Sequence, residues 1–155
     1  MGTTAAREQM SSSAARDAIL SRHDELRCLV SETIHYADDA INSKCDCEPL
    51  RAHAKELYAA FGEHMDFEER MLATALRDVI GWGSVLQAQM EEGREKQRAI
   101  LASAMSALEP QDVSPAVLVE SVRAIADTLL HDLQSEESCL LNADLDAIAT
   151  DSQGG

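Results

Sequence analysis

The chain has 155 residues, of which 45% are hydrophobic and 26% charged, and its formal net charge is −15. This length fits one domain with a substantial core, and the hydrophobic share excludes wholesale disorder. The negative charge argues against nucleic acids and anionic membranes as partners, because both would repel the chain. No apolar stretch approaches 18 residues, and no basic leader precedes one, so we expect a cytoplasmic protein. The cysteines lack a zinc-ribbon spacing and are most simply reduced thiols in that compartment: Cys28, Cys45, Cys47 and Cys139.

Four helical segments are predicted in chain order, and no strand pattern competes with them. Apolar residues recur at spacings of three and four within each segment. Ser114 and Pro115 are placed as the N-cap and the first residue of the last helix. The predicted helices run from about residue 15 to Asn42, from Pro49 to Asp78, from Ser84 to Leu108 and from Pro115 to Leu145.

Long helices with short connections predict an all-α protein, an up-down-up-down antiparallel four-helix bundle. We expect residues 15–146 to form this bundle. Residues 1–14 are polar, small and without period, which predicts a disordered arm, and residues 147–155 are predicted to form a flexible tail.

Two histidine–carboxylate pairs in the second and fourth predicted helices are the most informative feature of the chain. His64 and Glu68 are four residues apart and therefore share one helix face. His131 and Glu136 are five apart, a looser match offset by about 140°, although a long glutamate can swing back. A second acidic residue follows each pair directly. Two such pairs on separate helices indicate a metal ion held inside a bundle.

A third histidine falls at the same level of the predicted bundle. At about 1.5 Å per residue, His23 lies roughly 9 Å from the shared end, Glu68 roughly 12 Å and Glu136 roughly 13 Å. His64 and His131 lie roughly 18 Å and 21 Å from that end. The alternatives are a surface ion pair for His64 with Glu68 and a satisfied core histidine for His23. The shared level favours a common site.

Three motifs together resemble the hemerythrin-like domain family. The segments are HDELR at residues 23–27, FGEHMDFEERML at 61–72 and LHDLQSEESCLL at 130–141. The resemblance covers roughly residues 17–145 and implies a four-helix bundle with a non-haem diiron centre. Members of this family bind oxygen reversibly, sense oxygen, nitric oxide or redox state, regulate iron, or help to repair iron centres.

Carried over by position, the resemblance implies that His23 and His64 bind one iron and that His131 binds the other. Glu68 and Glu136 would bridge the two ions. Imidazoles and carboxylates suit iron in both of its common oxidation states. An open position on iron would then bind O₂, NO or peroxide.

The third predicted helix departs from the family pattern. No histidine lies between His64 and His131, and Gly93 stands where one is expected. A mid-helix glycine costs about 1 kcal/mol relative to alanine, so another factor would favour it. The position is vacant, or Glu92 (or its neighbours Glu91 and Gln89) takes over coordination. Otherwise the second metal is lost, leaving mononuclear iron or another divalent metal.

We therefore expect a non-haem iron protein, most simply diiron, that binds or senses O₂, NO or reactive oxygen species. One alternative is an iron enzyme that reduces peroxide or O₂. Another is a metal-poor regulatory or interaction module whose acidic surface engages a basic partner. The sequence does not choose between an enzyme and a binding protein, and it assigns no oligomeric state.

Overall fold

The computed structural model describes residues 10–43, 47–79 and 83–152, with side chains described for 10–42, 47–79 and 83–142. Four α-helices and no strand occur in these ranges. Helix α1 packs against α2 and α4, and α3 packs against the same two helices. None of the described helices has the length and apolar character that crossing a bilayer requires. The predicted four-helix bundle is confirmed, and its helices are α1 (Ser12–Ser43), α2 (Glu48–Ala75), α3 (Gly83–Ala107) and α4 (Pro115–Ser152).

Short-range capping explains where two helices begin. The Ser11 hydroxyl oxygen accepts a hydrogen bond from the Ala14 amide at 3.1 Å, which satisfies a free donor at the start of α1. The Ser114 hydroxyl accepts one from the Val117 amide at 3.3 Å, and Pro115 is the first residue of α4. The predicted cap of the fourth helix is therefore confirmed.

The first and last helices extend beyond their predicted bounds, α1 at its start and α4 at its finish. Helix α1 begins at Ser12, so residues 12–14 are helical, and the rest of the predicted arm up to residue 9 lies outside the described residues. Helix α4 continues to Ser152, so residues 147–152 extend it rather than forming a separate tail. No glycine or proline interrupts the chain between Pro115 and Gly154, and alanine-rich sequence continues a helix readily.

The core of the bundle consists of two apolar clusters separated along the helix axes. The larger cluster spans the later parts of α1 and α3 and the first halves of α2 and α4, with Leu26, Phe61 and Leu133 among its buried members. The smaller cluster lies at the end where α1 begins, and it includes Ile19 and Leu72. The segment of the bundle between these two clusters contains the polar residues described below.

An arginine ties α1 to the end of α2. The buried guanidinium of Arg16 donates through Nη1 to the Ala75 carbonyl oxygen at 2.7 Å and to Asp78 Oδ1 at 2.9 Å. A positive charge at a helix C-terminus interacts favourably with the carbonyl groups there. Burial opposes ionisation of Asp78, but the hydrogen bond and charge of Arg16 outweigh it and hold the pKa of this carboxyl below its usual value.

Replacing Asp78 by Asn should therefore lower stability at neutral pH and make no difference in acid. A folded-state pKa below the unfolded value of about 3.9 means that the ionised carboxylate stabilises the fold above that pH. This contribution is lost as pH falls through the folded-state pKa. Because the Asp78 side chain is 43% exposed, we expect less than about 1 kcal/mol.

The measurement is the free energy of unfolding by urea at pH 7 and at successively lower pH, down through the folded-state pKa of Asp78. Asp127→Asn, at an exposed acid on α4, is the matched control. A destabilisation by Asp78→Asn that persists unchanged in acid would contradict the ion-pair explanation.

Candidate metal centre

A layer of polar side chains separates the two apolar clusters, and every helix contributes to it. His23 and Glu68 are completely buried, and the others are buried or nearly so. Each residue takes a place in the inward stripe of its helix, as His23 does between Ile19 and Leu26. Apolar side chains therefore enclose the layer from both sides. Its members are His23 from α1, His64 and Glu68 from α2, Arg94 and Gln97 from α3, and Glu136 from α4.

Four of these side chains converge on one point. Ligand atoms of His23, His64, Glu68 and Glu136 all lie within 4.8 Å of one another. His23 Nε2 is 3.1 Å from His64 Nε2 and 3.2 Å from Glu136 Oε2, and His64 Nε2 is 3.6 Å from Glu68 Oε2. Two ligands at about 2.0–2.2 Å from a shared ion are at most about 4.4 Å apart. The ligand atoms, at most 4.8 Å apart, would therefore need to move only a few tenths of an ångström closer together to share one ion.

His23 is held by a second carboxylate on its far side. Its Nδ1 lies 3.1 Å from Glu137 Oε1, and Arg27 donates through Nη2 to Glu137 Oε2 at 2.7 Å. A carboxylate that accepts the Nδ1 proton leaves the Nε2 lone pair facing the cluster, as is usual for metal-binding histidines. The guanidinium and then His23 hold the pKa of Glu137 below its usual range, despite partial burial.

The two carboxylates at the centre differ in their surroundings. Burial first, and then the charge of Glu136, raises the pKa of Glu68 to about 9. Burial also opposes ionisation of Glu136, but the adjacent imidazoles of His23 and His64 outweigh it and lower its pKa to about 2. Without a cation, Glu68 therefore retains a proton near neutral pH.

Unpartnered polar atoms at the centre make this cluster a candidate cation site. Both oxygens of Glu68 are buried without a hydrogen-bond partner among the described residues, and Oε2 of Glu136 faces the imidazole nitrogens of His23 and His64. Burying such atoms unpaired is costly, and a metal ion would satisfy all of them together. Two imidazole nitrogens with two carboxylates form a donor set suited to iron and to other divalent transition metals.

Helix α3 contributes a cation to the layer where a histidine was expected. Gly93 is exposed, whereas Arg94 and Gln97 are only 6% and 3% exposed. The charge of Arg94 favours ionisation of Glu68, although its Nη1 has no hydrogen-bond partner in the described part of the chain. The inward positions of α3 thus offer a guanidinium and an amide, and no imidazole.

The structure brings together four of the six predicted ligands. His131 is exposed on α4, because five residues turn a helix by about 500°, so an inward Glu136 directs His131 outward. Asp132, four residues before Glu136, lies on the inward side instead. Glu92 is also absent from the cluster, since its side chain is 70% exposed and pairs with Lys96 at 3.3 Å. The structure therefore does not support His131 and Glu92 as ligands.

Sequence reasoning missed two residues of this centre. Glu137 was recognised only as a second acid beside Glu136, and its adjacency in sequence was the available signal. Arg94 lies four residues after Met90 and seven before Leu101, both of which are buried. That spacing places Arg94 on the apolar stripe of α3, which would have marked it as an inward-facing charge.

A pocket between α3 and α4 shares Glu136 with the cluster. Its volume is about 120 Å³. Gly93 and Gln97 line it from α3, and Asp132, Glu136 and Cys139 line it from α4. Because Glu136 belongs both to this α3–α4 pocket and to the four-residue cluster, a small molecule in the pocket would lie beside the Glu136 side chain.

Comparisons with protein-family models, with curated proteins and with solved structures gave no match for this chain. The assignment of a function therefore depends on the geometry of the centre.

Replacing Glu137 by Ala should weaken metal binding without unfolding the bundle. Loss of a carboxylate that orients a metal-binding histidine typically costs 10- to 100-fold in affinity. The measurement is the metal dissociation constant in competition with a coloured chelator, with helical content followed by circular dichroism. Glu120→Ala, at an exposed acid on the same helix, is the control. Equal dissociation constants for wild type and Glu137→Ala would contradict the orienting role.

Proposed function

We propose that this chain is a hemerythrin-like bundle that holds one non-haem iron ion and binds or senses a small ligand such as O₂, NO or peroxide. One observation carries the proposal: four ligand atoms from three helices converge within 4.8 Å in a layer enclosed by apolar clusters. Both carboxylate oxygens of Glu68 lack a hydrogen-bond partner among the described residues.

A single ion is favoured over the diiron centre of the resembled family. A second iron would need further ligands beyond Glu68 and Glu136. His131 and Glu92 are exposed, and Arg94 occupies the inward face of α3 near Glu68. A fixed guanidinium repels a second cation and supplies the positive charge that such an ion would otherwise bring.

The side chains at this centre would have different roles in holding the ion. His23 and His64 would donate through Nε2, and Glu68 and Glu136 through carboxylate oxygens. Glu137, paired with Arg27, would hold the ring of His23 in the orientation that directs Nε2 inward. The apolar clusters on both sides would exclude bulk water from the metal position. Bound iron would supply an open coordination position and a reversible change of oxidation state.

A reducing compartment is part of the proposal. The three described cysteines, Cys28, Cys47 and Cys139, are free thiols. Free thiols and an iron site that changes oxidation state both suit the cytoplasm, where thiols are kept reduced.

Elemental analysis after expression in iron-supplemented medium tests the assignment directly. We expect about one iron per chain in the wild type and none after His64→Ala, because His64 is 3% exposed and central to the ligand set. His35→Ala removes an exposed histidine and should retain the wild-type content. Full iron content in His64→Ala would overturn the site. Two irons per wild-type chain would overturn the single-ion proposal.

Replacing Arg94 by Gln should tighten metal binding, by tenfold or so. A nearby unit charge repels a divalent ion by on the order of 1 kcal/mol or more in a partly buried site. Arg94→Lys keeps the charge and should bind metal as the wild type does. Isothermal titration of the metal-free variants with Fe(II), without air, measures the difference. Equal losses of affinity in both variants would show instead that Arg94 only supports the packing.

A further inference from the structure

Gly93 has no structural reason to be glycine. It lies inside α3, where glycine is unfavourable relative to alanine. An added Cβ at this position would meet no atom within 4 Å, so no close approach of another helix requires its absence. Its one described role is to line the α3–α4 pocket. The missing side chain therefore widens this pocket.

The α3–α4 pocket has the size and charge for small uncharged molecules. Its volume of about 120 Å³ admits a diatomic molecule or a few waters. Asp132 and Glu136 are acidic residues of its lining, and no Lys, Arg or His is among the described residues that line it. A chain of net charge −15 adds to the repulsion of anions. Neutral ligands are thus favoured over anionic ones of similar size.

We infer that the α3–α4 pocket is the route by which a small uncharged ligand reaches the metal beside Glu136, and that Gly93 sets its width. This inference rests on the proposed function, because the ligand is taken to bind the proposed iron ion. It adds two properties that the ligand set alone does not contain: selection against anions, and control of access by one residue of α3.

Cys139 offers a test of the route that needs no metal. It lines the same pocket and is partly buried, whereas Cys28 is exposed on α1. We would treat metal-free protein with a neutral and with an anionic methanethiosulfonate and follow each cysteine by peptide mass mapping. The ratio of neutral to anionic rates should be at least fivefold higher at Cys139 than at Cys28. Equal ratios would overturn the selection against anions.

A larger side chain at residue 93 should close the route. Gly93→Leu should slow neutral labelling of Cys139 at least fivefold and leave Cys28 unchanged. Ala99→Leu adds the same side chain at an exposed position of α3 outside the pocket and should change neither rate. Gly93→Met serves the same purpose if the leucine variant folds poorly. An unchanged rate at Cys139 in the folded variant would overturn the role of Gly93.

Iron-loaded protein tests the ligand itself. With Fe(II) at equal content in both variants, NO association followed by stopped flow should be at least fivefold slower in Gly93→Leu than in Ala99→Leu. Equal association rates with iron present would overturn the route and leave the iron site standing. Failure of the wild type to bind iron would overturn the proposed function, and with it the claim that a ligand in the pocket binds iron.

A smaller substitution at residue 93 distinguishes an effect on access to the pocket from an effect on the stability of the fold. Gly93→Ala should raise the melting temperature by about 2–4 °C, because alanine favours the helix and meets no obstacle. It should slow neutral labelling of Cys139 less than Gly93→Leu does. A lower melting temperature would show that glycine is required by packing, which would overturn the argument.

Discussion

The centre of this bundle depends on how two buried carboxylates are neutralised. Glu68 is completely buried, and neither of its oxygens has a hydrogen-bond partner in the described residues. An ionised carboxylate in such surroundings is unstable unless a positive charge lies close to it. The fold offers two imidazoles, one guanidinium and the space between them. A metal ion in that space would add its binding free energy to the stability of the bundle, so metal affinity and folding would be linked.

The two histidines at this centre are held to different degrees. His23 is connected through Glu137 to Arg27, so a chain of charged groups runs from the outside of the bundle to the cluster. His64 has no such support, because its Nδ1 is buried without a partner among the described residues. Only packing and the contacts of its Nε2 within the cluster therefore orient His64. We expect His23 to define the position of a bound ion and His64 to adjust to it.

Helix α3 contributes a positive charge to the polar layer and a glycine to the lining of the α3–α4 pocket. Arg94 places a fixed positive charge near Glu68, and Gly93, one residue earlier, opens the pocket on the α4 side. These neighbours point about 100° apart on the helix, which lets one turn of α3 serve both purposes. The charge near Glu68 and the width of the α3–α4 pocket can thus be changed by separate substitutions.

The sequence by itself determined the four helices, their inward stripes and the pairing of His64 with Glu68, because spacings of three and four define one face of a helix. It also brought His23 and Glu136 to the same level, since rise per residue is nearly constant. Only the tertiary structure decided how far each helix is rotated about its own axis. That rotation turned Glu136 inward and His131 outward, placed Glu137 against His23, and chose Arg94 over Gly93 for the core. Helix rotation depends on packing against all neighbours at once, and a local pattern of residues does not contain it.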